Sequence, residues 1–377
     1  MLFMMQRDFK FIFDKARKET LAGVNDWAGL MALSKRPGTK ITDEMLEREG
    51  LIHDPTFDNM LYRIALASKS VFTRIIITSY KQGGKSARLY FLDKITKQES
   101  HLKGLLIPDS TLQGLQNLPR KLHYLLADNV NFNSLIPLLD YCREIPCVIV
   151  TMPLDEFIRG EFCFKLMAFS DEMREKIGKY DLFFQIYEGW DIIRINDWIN
   201  KRFASFSIEN TQVALNSIIS QKSLDSIFQV SCCVPGWALN LLNDIIESQF
   251  ESHVSQSFSI DDDQVQQFIK SSGFNNVVAV FNGQLKPTQH NIAMMELLKA
   301  GKKRPVDLIP EYKKKKAAIS HQTSILEGLN FIAHDAATRK FKYFDLKPSG
   351  KAALEILKLR AFKETSTGFI SLDNITK

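Results

Sequence analysis

The chain has 377 residues, more than one hydrophobic core serves, so two or three domains are expected. Its 45% hydrophobic and 24% charged residues are ordinary for a soluble globular chain, and no run of about 18 uncharged apolar residues exists, which excludes a membrane-spanning helix. The net charge of +6 is uneven: residues 285–377 hold 18 Lys and Arg against 9 Asp and Glu, while the remainder is slightly acidic. Such a tail suits a polyanion partner or a solvated lysine-rich surface.

The start, MLFMMQRDFKFIFDKARKE, is apolar but broken by Arg7, Asp8, Lys10 and Asp14. It lacks a small-residue cleavage site and does not read as a signal peptide. Cys142, Cys147, Cys163, Cys232 and Cys233 show no metal-ligand spacing. They read as reduced, buried thiols of a cytoplasmic protein. Residues 1–68 read as a helical extension with a polar, turn-rich middle, SKRPGTKITDE.

Between Arg74 and Tyr187 short apolar runs alternate with helical stretches. The runs are RIIIT (74–78), GLLIP (104–108), HYLLA (123–127), CVIVT (147–151) and LFFQIY (182–187). The helical stretches lie near 86–96, 110–117, 133–143 and 165–177. This alternation predicts an α/β fold with a parallel sheet covered on both faces. From Trp190 to about Phe274 only helices are expected, near 190–204, 209–219, 222–231, 236–250 and 261–271, with Asp261 at a helix start. NNVVAVFNGQLKP (275–287) reads as a linker or short strand. The expected divisions are therefore an extension at 1–68, a core at 69–189, a helical lid at 190–282 and a basic domain at 283–377.

The first strand runs into SYKQGGKS (79–86) and then a helix, the layout of a phosphate-binding P-loop. Gly83 and Gly84 let the backbone approach phosphate, Lys85 reaches the β/γ-phosphates, and the Ser86 hydroxyl binds Mg²⁺. Ser79 stands where the usual pattern has its first glycine, which is tolerable where no positive φ is needed. A chance G-K-S match is the competing reading. HYLLADN places Asp128 at a strand's C-terminal end, as a metal-holding carboxylate or an ordinary strand-end Asp. Asn129 follows it where a water-activating glutamate is common. Asn orients water but cannot take its proton, so slow or absent hydrolysis is expected. Thr151, at the end of the next strand, would sense γ-phosphate or position the attacking water, or simply cap the loop. Glu156 is a weak substitute base.

Strand–SYKQGGKS–helix, HYLLADN and CVIVT, followed by a helical lid and a basic C-terminal domain, resemble the AAA+ and STAND P-loop ATPases. Among these the architecture is most similar to the archaeal-type origin-recognition and helicase-loader family. The resemblance covers about residues 50 to 360, at motif level, and implies ATP or ADP with Mg²⁺ as ligands. Such lids often carry an arginine in a G-x-A-R-like helix start. Here Pro235 Gly236 Trp237 Ala238 Leu239 Asn240 has Leu239 at that place, so no sensor arginine is assigned. Arg159 and Arg174 are arginine-finger candidates, each equally readable as a surface residue.

In the tail, TQHNIAMMELLKAG reads as a helix ending at Gly301, and 304–312 as a short helix begun by Pro305. AISHQTSILEGLNFI reads as a third helix entering a strand. FIAHD, the turn AATRK and FKYFDL read as a two-stranded wing, and KPSGKAALEILKL as a closing helix. The pattern resembles a winged helix-turn-helix. Ser320, His321, Gln322 and Thr323, with Ser324, would face a DNA groove. Lys313, Lys314, Lys315 and Lys316, with Arg339, Lys340 and Lys342 in the wing, would meet phosphates. The fold expected is a parallel-sheet P-loop NTPase core, an all-helical lid and a C-terminal winged helix. The function expected is an ATP-switched protein binding double-stranded DNA in replication initiation, helicase loading or mobile-element regulation, able to self-assemble or bind protein through its core. A STAND-like signalling ATPase whose tail docks protein, and a scaffold with a decayed P-loop, are the alternatives.

Overall fold

The run Thr73–Ser79 forms strand β1, buried along its whole length, because β-branched apolar side chains suit a strand covered on both faces. A computed structural model describes residues 55–69, 72–108, 121–159, 181–206, 215–252, 259–301, 303–304, 308, 316–335 and 343–365. Around β1 the first unit comprises helix α1 (Pro55–Ala67), α2 (Lys85–Thr96), β2 (Gly104–Ile107), β3 (Tyr124–Ala127), α3 (Phe132–Tyr141), β4 (Cys147–Pro153) and β5 (Asp181–Tyr187). A helical segment at 154–159 follows β4 directly. The sheet order is β2-β3-β4-β1-β5, with every pairing parallel. All five expected strands are present.

Phe57, Met60, Ile64 and Ala67 recur at helical spacing on α1 and are at most 1% exposed. They share a core with Ile75 and Ile77 of β1, Leu89 and Leu92 of α2, and Ile149 of β4. α1 thus packs on the sheet and lies in its compact unit. Arg74 is buried at the sheet's other end. Its guanidinium donates to the carbonyls of Thr73 and Pro146, each at 3.0 Å, and to that of Cys142, also at 3.0 Å. A cation among the carbonyls after α3 is favourable against the helix dipole.

Residues 190–278 belong to a second compact unit. It contains α4 (Ile192–Phe206), α5 (Gln221–Val230), α6 (Pro235–Ser252), α7 (Asp262–Ser272) and most of α8 (Phe274–Phe281). Ile195, Ile199 and Phe203 of α4, Leu224 and Ile227 of α5, and Leu242 and Ile245 of α6 are buried. Asp261 caps α7 as expected, accepting from the Gln264 amide at 2.7 Å while the Gln264 side chain bonds the Asp261 N–H. The expected linker or strand at 275–287 is corrected. Gly273, in the left-handed region at φ 85°, ends α7, and α8 follows at once. Phe274, Val277 and Val280 are buried at helical spacing.

Residues 279–377 share the compact unit of the sheet. Helices α9 (Gln289–Lys299) and α10 (Lys316–Gly328), strands β6 (Ile332–Asp335) and β7 (Tyr343–Leu346), and helix α11 (Pro348–Thr365) give the winged-helix order. β6 and β7 pair antiparallel, and Lys303 forms a single antiparallel bridge to Phe344 of β7. Thr288 and Asn291 form a reciprocal cap on α9. The helices expected at 110–117 and 165–177, Arg174 and Cys163, the helix from Pro305 and the wing turn lie outside the described residues, as does most of the helix expected at 209–219. No helix among the described residues is long and apolar enough to cross a membrane.

Candidate functional site

Three parallel strands end side by side at the loop after β1. Ile77 of β1 is in register with Thr151 of β4, and Ala127 of β3 with Val150. Asp128, one step past β3, therefore lies beside Thr151 and faces the loop 79–86. The Ser86 hydroxyl donates to Asp128 Oδ1 at 3.0 Å, and the Thr151 hydroxyl donates to the same oxygen. The sheet thus brings Ser86, Asp128 and Thr151, which lie far apart in the chain, to one point.

The loop's deviation from the glycine pattern has a structural reason. Ser79 is the last residue of β1, in register with Pro153 and Tyr187 and without positive φ. A glycine's freedom is therefore not required there. It is required later. A Cβ on Gly83 would sit 2.7 Å from Ser79 Oγ and 3.0 Å from the Tyr80 carbonyl oxygen. Gly84 caps α2 at φ 85°. Lys85 opens α2, so the helix's first N–H groups and the positive end of its dipole face the loop. Burial lowers the Lys85 ammonium from its ordinary value, while the Asp128 and Glu355 carboxylates act to raise it.

Two other expected residues have different duties. Asn129 adopts φ 55°, in the left-handed region that Asn tolerates better than most residues. Its N–H donates to Thr151 Oγ1 at 2.9 Å, and the next N–H, of Val130, donates to the Thr151 carbonyl at 2.8 Å. Asn129 is thus explained by backbone shape. Glu156 accepts from the Phe132 N–H at the start of α3 at 2.9 Å. Leu239, at the place where such lids often carry an arginine, is fully buried in α6, and Arg159 is exposed.

Hard oxygen donors on Ser86 and Asp128, a lysine at a helix N-terminus and free first-turn amides fit a magnesium-phosphate group. One loop amide already holds an anion: Lys81 N–H donates to Glu355 Oε2 of α11 at 2.6 Å. Glu355 lies in no recognisable sequence motif. Its only sequence signal is its place on α11, where 355, 358, 359, 362 and 363 fall on one helical face.

On α10, Ser320, His321 and Ser324 are exposed. Thr323 is corrected: it is 3% exposed and its hydroxyl donates to the Ser320 carbonyl at 3.0 Å. Gln322 is half-buried and accepts from Asn291 Nδ2 at 2.6 Å. Lys313, Lys314, Lys315, Arg339, Lys340 and Lys342 lie outside the described residues, and for Lys316 only the backbone is described. Burial pushes the Cys142, Cys147 and Cys232 thiols up to about 12, as expected of inert thiols.

The fold and site define an α/β P-loop core carrying a winged helix. No protein-family model matches the sequence, and no curated protein matches it. Among solved structures, the chain is similar to Drosophila ORC bound to DNA, with 12% identity, 92% of this chain and 99% of that chain covered, and a TM-score of 0.36. It is similar to the Aeropyrum pernix ORC2 protein in ADPNP-ADP complexes (11% identity, 82% and 94% covered, TM-score 0.39). Cdc6p from Pyrobaculum aerophilum is a third (13% identity, 86% and 98% covered, TM-score 0.36). At this level of similarity the names carry no function across, and function rests on the chain's own geometry.

Proposed function

We propose that this protein is a nucleotide-held switch: an ATP-binding, slowly hydrolysing P-loop protein that binds DNA through its winged helix. It would belong to replication initiation, helicase loading or mobile-element regulation. The observation that carries the reading is the convergence of the Ser86 and Thr151 hydroxyls on Asp128 Oδ1 at the mouth of the loop. An isolated G-K-S match has no reason to face a carboxylate and a threonine from two neighbouring strands. Ser86 and Asp128 would hold Mg²⁺, and Lys85 with the first-turn amides of α2 would hold phosphate oxygens. The metal, when bound, offsets the charge between β- and γ-phosphates. Slow turnover is supported by Asn129, which cannot take a proton from water, and by Glu156, whose carboxylate is engaged at α3.

Lys85→Ala is expected to weaken MgATP binding at least tenfold by calorimetry. Unchanged affinity would exclude the P-loop reading. DNA binding is supported by the basic tail and the exposed Ser320, His321 and Ser324 on α10. Changing Lys313 through Lys316 to Ala is expected to flatten the salt dependence of DNA affinity by about one unit of log–log slope per lysine that meets a phosphate. A salt-independent wild-type affinity would favour a winged helix that docks protein.

A further inference from the structure

One face of α11 lies against the sheet core. Glu355 Oε2 accepts from the Lys81 N–H of the loop at 2.6 Å. Lys358 donates to Asp155 at 2.7 Å and also pairs with Glu296 of α9. Lys299 of α9 pairs with the same Asp155. Phe362 packs edge-on against Phe157 at 5.4 Å, and Phe157 packs in turn on Phe184 of β5 at 5.6 Å. Lys363 pairs with Glu188 just past β5. The spacing 355, 358, 362, 363 is that of a single helical face. Asp155 and Phe157 lie in the segment immediately after β4, the strand that carries Thr151. The winged helix therefore grips the core at the edge of the nucleotide site.

The contact at the loop is the unusual one. A surface ion pair contributes little, and Lys358–Asp155 and Lys363–Glu188 are such pairs. Glu355 differs, because a carboxylate is directed at a backbone N–H of a phosphate loop and near Lys85. Burial raises its carboxyl from the ordinary value, outweighing the Lys81 amide that lowers it, so the loop hosts this anion at a desolvation cost. The interface is also incompletely packed: a cavity of about 350 Å³, bounded in part by Tyr80, Glu188, Leu359 and Arg360, lies between α11 and the core. A cleft at this junction leaves part of α11 without close packing against the core, which lowers the cost of moving it.

We propose that Glu355 acts as an internal phosphate mimic, docking the winged helix on the P-loop, and that nucleotide phosphate and Glu355 exclude each other. This rests on the reading of the loop as a phosphate site. One amide cannot serve two anions, so a phosphate that takes the Lys81 N–H displaces Glu355. Losing it removes the one contact that α11 makes through Glu355 to the loop, while pairs such as Lys358–Asp155 and Lys363–Glu188 and the Phe157–Phe362 contact remain. The winged helix is then free to leave the core, and nucleotide occupancy sets whether it is docked or released.

The test pairs MgATP binding with lysine footprinting of the full-length protein. Relieving a docked fraction raises apparent affinity, so Glu355→Ala is expected to bind MgATP about tenfold more tightly than wild type. Asp155→Asn, which loosens the same interface without touching the loop, shifts affinity in the same direction by less. In wild type, MgATP is expected to raise acetylation of Lys358 and Lys363 at least threefold, read by mass spectrometry, and to leave it unchanged in Lys85→Ala. If wild type binds MgATP, both variants match it and Lys358 stays protected, the proposal fails while the nucleotide reading stands. If neither wild type nor Glu355→Ala binds MgATP, the nucleotide reading itself fails.

Discussion

Asn129 illustrates how a residue that looks chemical in the sequence is explained by its backbone. At φ 55° it turns the chain so that the Asn129 and Val130 amides both reach Thr151. Asn129→Ala is therefore expected to cost about 1 kcal/mol of stability in urea unfolding, and Asn129→Gly less, since the left-handed region penalises a Cβ. Installing glutamate there carries the same strain, so Asn129→Glu is not expected to restore fast hydrolysis. Gly83 sits at the opposite extreme. Its missing Cβ is what lets the loop close on Ser79, and Gly83→Ala is expected to lose MgATP binding while thermal unfolding moves by only a few degrees. If Gly83→Ala bound normally, the close approach to Ser79 would be irrelevant to the site.

At the scale of elements, strands were the most legible part of the sequence. Ile75 to Ile77 and Val148 to Val150 are β-branched runs bounded by polar turns, and each is a buried parallel strand. Helix α8 was not legible, because Val277, Val278 and Val280 favour strands locally, and only the burial of Phe274, Val277 and Val280 on one face makes them helical. Asp128, Ser86 and Thr151 could each be placed from strand ends, since parallel sheets gather their C-terminal edges. Glu355 could not, because its role depends on how α11 lies against the loop, which no local pattern encodes. The α11 face yields its own expectation: Phe362→Ala removes the aromatic contact with Phe157, and Lys358 should acetylate faster than in wild type without nucleotide. Equal rates would mean that the aromatic pair does not hold α11 in place.

The whole molecule divides into two compact units. The sheet core and the winged helix share one compact unit, and residues 190–278 lie in another. A basic tail that could have been a separate DNA module is instead in contact with the loop that would hold nucleotide. That contact links the two proposed ligands, phosphate at the loop and DNA at α10, through one helix, α11. The most direct measurement is a crystal structure of the full-length protein grown with Mg²⁺ and a slowly hydrolysed ATP analogue. Phosphate density is expected at Lys85 and the start of α2, a metal at Ser86 and Asp128, and Glu355 withdrawn from the Lys81 amide. An intact Glu355–Lys81 contact, with no nucleotide at saturating concentration, would contradict this expectation.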